Sequence, residues 1–129
     1  MLLVYSSFFF LSVFVYGIYI LHWTGPAFFL MTILSICNHY SQNKYKDFAL
    51  IRSIDTVYAH SLLFATMIEA STRRLCPPLF IYWICVGWIV YIYQITNLSN
   101  HPRTGDYWHS TVHASASIGA CALLYTISH

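Results

Sequence analysis

Long apolar runs separated by short polar stretches dominate the chain. Five such segments cover approximately residues 2–21, 27–40, 48–71, 79–95 and 107–127. The longer runs have the roughly 20 apolar residues that a helix needs to cross a hydrocarbon core of about 30 Å. Proline and glycine pairs that favour turns fall between them. The pattern therefore predicts an all-α protein, a polytopic transmembrane helix bundle of about five spans that forms a single domain over residues 1–129.

Composition supports a membrane-embedded protein. Of the 129 residues, 58% are hydrophobic and only 8% are charged, whereas a soluble domain carries about 25% charged residues. The net charge of +2 gives no basic footprint for nucleic acid, so we expect no nucleic-acid partner. The first run has no basic stretch before it, which predicts a retained helix rather than a cleaved signal peptide. The four cysteines form no CxxC pair, and the three that lie inside apolar runs are expected to be small buried residues.

A few ionisable side chains interrupt the apolar segments. His109 and His113 open the last segment, four residues apart, so they share one helix face at a separation of about 6 Å. His39 ends the second segment, and Asp55 lies in the first third of the third segment. Such groups are costly in a membrane helix and usually have a function. If the five spans alternate in direction, all four residues lie near the N-terminal side of the membrane.

The charges of the loops predict which side this is. Positive residues on the N-terminal side slightly outnumber those on the other side, and the positive-inside rule then makes the N-terminal side cytoplasmic. The residues on that side are Lys44, Lys46, Arg52 and Arg103. The sequence Asn97-Leu98-Ser99 on the same side is a glycosylation acceptor motif, and its modification would reverse this orientation.

These residue types suggest a zinc-dependent hydrolase. A catalytic zinc site typically has three protein ligands and keeps one position for water, and His39, His109 and His113 make such a set of ligands for Zn²⁺. Asp55 could hold the water and accept its proton as a general base. Ser35 lies four residues before His39, on the same helix face, and its hydroxyl could donate to a substrate oxygen. A site of this kind within a membrane is suited to hydrolysis of an amide or ester bond in a lipid substrate.

Structural interpretations of the same residues stay open. The histidines could be hydrogen-bonded packing residues, Asp55 could pair with Arg52 one turn earlier, and Ser35 could pack between helices. His60, five residues after Asp55, could be a packing residue or a spare ligand. Two other functions are also open. The chain could be a non-catalytic metal-binding or assembly membrane protein, or it could bind haem between histidines of different helices for electron transfer.

The order of these residues resembles a known signature. Ser35-x3-His39, then Asp55 in the next helix, then His109-x3-His113 in the last helix is similar to the pattern of a membrane hydrolase superfamily. That superfamily includes the alkaline ceramidases and the progestin and adiponectin receptor family. The resemblance implies a zinc ion held by the three histidines, with Asp55 and Ser35 completing the site, and a role in lipid metabolism such as cleavage of the ceramide amide bond.

The helix number differs from that of the family. Family members have seven transmembrane helices with the HxxxH motif in the seventh, and this chain has room for about five. The missing pair falls between the aspartate helix and the HxxxH helix, so the three site-bearing helices keep their relative directions. The walls of the lipid cavity could be completed by a second copy in a homo-oligomer, or the chain could be a reduced relative that binds metal without turnover.

Overall fold

The computed structural model describes residues 2–44, 49–98 and 102–129, with side chains for residues 2–40, 50–94 and 107–129. Within these ranges the chain forms six α-helices and no strand, which confirms the predicted all-α class. The helices are α1 (Leu2–Ser7), α2 (Phe10–Tyr19), α3 (Thr24–Lys44), α4 (Ala49–Ser71), α5 (Pro77–Leu98) and α6 (Pro102–Ser128). The predicted membrane orientation depends in part on Lys46 and Ser99, and both residues lie outside the described residues.

The first predicted span is interrupted between α1 and α2. The backbone N–H groups of Phe8 and Phe9 bond three residues back, at 3.1 Å, as in a tight 3₁₀ turn. The hydroxyls of Ser6 and Ser7 both donate to the carbonyl oxygen of Leu3, at 3.1 and 2.7 Å. Because serine hydroxyls that bond back to the preceding turn disturb helices, this serine pair accounts for the interruption.

Helix α2 ends in a turn that brings α3 very close to it. Leu21 has a left-handed backbone (φ 55°). The His22 N–H bonds the carbonyl of Gly17 at 2.8 Å, and the Leu21 N–H bonds that of Ile18 at 3.1 Å, which is the Schellman pattern of a helix end. A Cβ added to Gly17 would lie 2.4 Å from the backbone N of Gly25. Only glycine at position 17 allows the two backbones to approach this closely.

Helix α6 is the centre of the described bundle and packs against α1, α2 and α5. One face of α6 meets α2 and α3 in an apolar cluster that includes Phe10, Phe28 and Leu124. The adjoining face packs on α5 through Leu123 and Tyr82. The close contact of α6 with α5 places the histidine end of α6 next to α5 as well.

Helix α4 is attached to the bundle at separate points along its length. The Tyr58 hydroxyl donates to the Ala27 carbonyl of α3 at 2.6 Å. Further along, Thr66 and Tyr82 of α5 share a hydrogen bond of 2.8 Å. A cavity of about 830 Å³ lies between α3, α4, α5 and α6.

Three stretches of the described chain are long and apolar enough to cross a membrane, namely Leu2–Tyr19, Pro77–Gln94 and Tyr107–Ser128. Large apolar side chains also cover the outside of the bundle. Ile84 is 70% exposed and Phe64 is 64% exposed, as expected where lipid rather than water is the neighbour. These features indicate a membrane protein. Spans in α3 and α4, which carry more polar residues, stay a prediction.

The close approach of α2 and α3 gives a test of the fold. We expect Gly17→Ala to lower the free energy of unfolding in detergent by about 1–3 kcal/mol, because the added methyl group meets rigid backbone. Gly87→Ala is the matched control. Its Cβ would meet nothing within 4 Å, so it should raise stability by about 0.5–1 kcal/mol through helix propensity. Unfolding followed by circular dichroism measures both, and equal effects of the two substitutions would contradict the predicted contact.

Candidate metal centre

Three histidine side chains from two helices meet inside the bundle. His39 comes from the C-terminal half of α3, and His109 and His113 come from successive turns of α6. Each offers one ring nitrogen, and the three nitrogens lie within 4.8 Å of one another. His39 is 3% exposed and His113 is 4% exposed. The predicted convergence of these residues is therefore present, and the group could hold a metal ion.

The three rings contact one another directly. Their centroids are separated by 5.0 Å for His39 and His109, 5.3 Å for His39 and His113, and 4.9 Å for His109 and His113. The spacing of four residues on α6 places its two rings one above the other. The third ring approaches from α3. Three imidazole nitrogens that converge in this way are the ligand set of several catalytic zinc sites.

One ring nitrogen of His113 has a partner that the sequence did not predict. Its Nδ1 lies 2.7 Å from the hydroxyl oxygen of Ser6 in α1. The ring of Phe10 packs beside that of His113, with the centroids 5.1 Å apart. A signal for Ser6 was present in the sequence, since two adjacent serines interrupt the first apolar segment near its N-terminal end. That end lies at the same predicted depth as the histidines.

Asp55 lines the same cavity as the histidines, and its side chain is held by Asn38, the residue before His39. Its side chain is 7% exposed, and the Asn38 side-chain amide donates to Oδ2 at 2.7 Å. The other oxygen, Oδ1, is buried and has no hydrogen-bond partner among the described residues. The alternative pairing of Asp55 with Arg52 does not form in this part of the chain, although both side chains are described. Asn38 thus links α4 to the turn of α3 that carries His39.

Ser35 is fully buried and contacts α1. Its hydroxyl lies 2.7 Å from that of Ser7, which in turn donates to the Leu3 carbonyl. This hydrogen bond joins α3 to α1, one turn of α3 before His39. The catalytic role suggested for Ser35 stays a prediction, and the contact that the structure gives it is a contact between helices.

The histidines and Asp55 lie at one end of the cavity, and the Thr66–Tyr82 pair lies at the other. Between the two ends the lining is largely apolar. It includes Leu62, Leu63, Val86, Ile89, Ala116 and Ala120. From Tyr82 to Tyr93, α5 follows the cavity for eleven residue steps, or about 16 Å at a rise of 1.5 Å per residue. The cavity therefore combines a polar, potentially metal-binding end with a long apolar body.

His60 lies in the cavity wall outside the histidine group. Its Nδ1 is 2.7 Å from the Thr56 carbonyl oxygen, and its ring packs against Tyr93 with the centroids 5.5 Å apart. Tyr93 also contacts the His109 ring at 6.2 Å. His60 is thus separated from the candidate ligands by a tyrosine, an arrangement that favours the packing role over that of a spare ligand.

Comparisons with protein-family models, with curated proteins and with solved structures found no match for this chain. The function of the site is therefore inferred from its own residues.

Metal content distinguishes ligands from neighbouring histidines. We expect the purified, detergent-solubilised protein to hold about one metal ion per chain and His113→Gln to lose it, because a two-histidine site is a poor site for a zinc-like ion. His60→Gln should keep the metal. Elemental mass spectrometry measures the content, and circular dichroism checks that each variant is folded. Metal retained in a folded His113→Gln variant would contradict the assigned ligand set.

Proposed function

We propose that this protein is a zinc-dependent intramembrane hydrolase that cleaves an amide or ester bond in a lipid such as a ceramide. One observation carries the proposal. Two buried histidines, the half-buried His109 and a buried carboxylate line the polar end of an otherwise apolar cavity. Metal ligands, a proton acceptor and space for an acyl chain are the parts that such a reaction requires.

The choice of zinc follows from the ligands. Three neutral imidazoles with no thiolate are the ligands of several catalytic zinc enzymes, which keep a position for water or substrate. Zinc would supply a Lewis acid that lowers the pKa of its water to about 7 and polarises a carbonyl. His39, His109 and His113 would hold it. Direct contact between the three rings also favours a single ion over haem, because it leaves no room for a macrocycle between them.

Asp55 is the candidate general base. Asn38 occupies one carboxylate oxygen, so the carboxylate is held in one orientation, and Oδ1 is the oxygen that can accept a proton from water in the cavity. A buried carboxylate oxygen that accepts no hydrogen bond from the described residues is costly, and such costs are commonly tolerated at functional sites. The proton taken up at Oδ1 would pass to the leaving amine or alcohol, so that each turnover restores the carboxylate.

The cavity supports a lipid substrate. Its volume of about 830 Å³ falls in the range of typical ligand sites, about 300–1,000 Å³. Its long apolar body suits a hydrocarbon chain, while Asp55 and the histidines at one end would face the polar linkage. The ordered residues Ser35, His39, Asp55, His109 and His113, which resemble the ceramidase-like superfamily, agree with the same substrate class.

The proposal places the reaction in a membrane, on the side where the chain starts. The loop charges favour the cytoplasmic side for that end. The competing proposal is a reduced relative that binds metal without turnover, with self-association supplying any missing part. The same residues would then hold the ion, and the carboxylate would be structural.

Asp55→Asn separates these two proposals. The amide keeps the shape of the side chain and a hydrogen bond with Asn38 but removes the proton acceptor, so we expect metal content to be unchanged and lipid hydrolysis to fall by about 10²–10⁴-fold. Glu69→Gln is the matched control, because it makes the same change at the opposite end of α4, where Glu69 pairs with Arg73 at 2.9 Å. Release of fatty acid from ceramide-like amides and from matched esters in mixed micelles measures activity.

Two results would count against the hydrolase. Wild-type protein that contains metal but cleaves neither an amide nor an ester lipid would favour the non-catalytic relative. Equal losses of activity in Asp55→Asn and Glu69→Gln would show that the carboxylate of Asp55 has no special role.

A further inference from the structure

We infer that Ser6 is a positioning residue that holds His113 in the tautomer with its proton on Nδ1, so that Nε2 faces the other two histidines as a ligand. The inference rests on the metal centre of the proposed function and adds to it a residue from a helix that supplies no ligand. It assigns a function to the interrupted N-terminal helix.

The direction of the hydrogen bonds follows from counting hydrogens. The Ser6 hydroxyl has a single hydrogen, which it donates to the Leu3 carbonyl at 3.1 Å. Its oxygen also lies 2.7 Å from His113 Nδ1. Both contacts can be hydrogen bonds at once only when the hydroxyl hydrogen is directed to Leu3 and the ring donates from Nδ1, so we assign the proton to Nδ1. A neutral imidazole protonated at Nδ1 has its lone pair on Nε2.

Two contacts hold the ring in this orientation. Ser6 fixes one edge, and the ring of Phe10 packs beside His113 with the centroids 5.1 Å apart. Ligating histidines almost always donate their other N–H to a protein group, which fixes both the tautomer and the ring plane. In the described part of the chain, the Ser6 hydroxyl is the group that lies within hydrogen-bond distance of His113 Nδ1, at 2.7 Å.

The neighbouring serine attaches the same turn of α1 to the other ligand-bearing helix. Ser7 lies 2.7 Å from Ser35 of α3. Adjacent residues on a helix point about 100° apart, so Ser6 faces α6 while Ser7 faces α3. Helix α1 therefore lies between the helix that carries His39 and the helix that carries His113, and its serine pair holds both of them.

The test uses Ser6→Ala with Ser12→Ala as the matched control. Ser12 makes the same kind of bond back to its own helix, to the Phe9 carbonyl at 2.7 Å, but its hydroxyl contacts no histidine. Zinc affinity is measured by competition with a chelator in the detergent-solubilised protein. Affinity should fall by about 10–100-fold in Ser6→Ala and stay at the wild-type value in Ser12→Ala. Ser6→Thr keeps a hydroxyl and should restore most of the affinity.

A second readout needs neither metal nor substrate. Nitrogen-15 NMR of metal-free protein reports the tautomer of each histidine, and the His113 signals are those lost in His113→Gln. We expect the Nδ1–H form in the wild type and a shift toward the Nε2–H form in Ser6→Ala. A wild-type ring in the Nε2–H form would overturn the inference, as would an equal loss of zinc affinity in Ser6→Ala and Ser12→Ala.

If the hydrolase proposal is wrong, zinc binding, its dependence on Ser6 and lipid cleavage give a different combination of results. A protein that binds zinc, depends on Ser6 for affinity and cleaves no lipid would overturn the hydrolase alone. A protein that binds no zinc would overturn the metal centre, and the tautomer measurement would still decide what Ser6 does to His113.

Discussion

The cost of burying polar side chains among apolar helices is the constraint on which the rest of the structure depends. In a membrane no water is available to satisfy such groups, so they have to find partners within the protein. Here the partners lie on different helices. His113 bonds Ser6, Ser35 bonds Ser7, and Asp55 bonds Asn38. These three contacts connect α6 to α1, α3 to α1, and α4 to α3. Each hydrogen bond of this kind is worth only about 0.6 kcal/mol on average in a membrane protein. Their main effect is therefore to select one arrangement of helices, the arrangement in which the three histidine rings meet.

The two ends of the bundle are held by different interactions. At the end away from the histidines, backbones approach closely at Gly17 and Gly25, and α4 meets α5 through Thr66 and Tyr82. At the histidine end, polar contacts replace this packing, and α1 lies between the two helices that carry the ligands. The cavity occupies the space between the two ends, along α4, α5 and α6. The close packing that stabilises the bundle lies at the end away from the histidines. The bundle can therefore contain a cavity without losing its fold.

The apolar runs predicted the helices, and their alternating direction predicted that His39, His109 and His113 would share one depth. Contacts between helices could not be predicted in the same way. They depend on how each helix is rotated about its axis, and a helix that is apolar on all sides gives little periodicity from which to read that rotation. The pairing of Asp55 with Asn38 rather than Arg52 is one such case. The contact of Ser6 with His113 is another, because serine is a common residue in membrane helices and does not by itself indicate such a contact. The interruption at Phe8 and Phe9 also depends on where the serine hydroxyls point, which the sequence pattern does not specify.

The smaller number of helices, compared with the family that the residue order resembles, raises the question of whether one chain can enclose a substrate. From the sequence, a second copy could complete the walls of the lipid cavity. In this structure α3, α4, α5 and α6 of a single chain already line a cavity of about 830 Å³. The polar end of that cavity contains the three histidines and Asp55 without any residue from a partner. Residues of one chain therefore supply both the polar end and the apolar body of the cavity. Helix α5 forms one side of this cavity and lies directly against α6 where Cys85 meets Gly119, and a Cβ added to Gly119 would be 3.0 Å from Cys85 Cβ. Because Gly119 has no side chain, α5 and α6 can approach each other closely at this point, beside the cavity that both helices line.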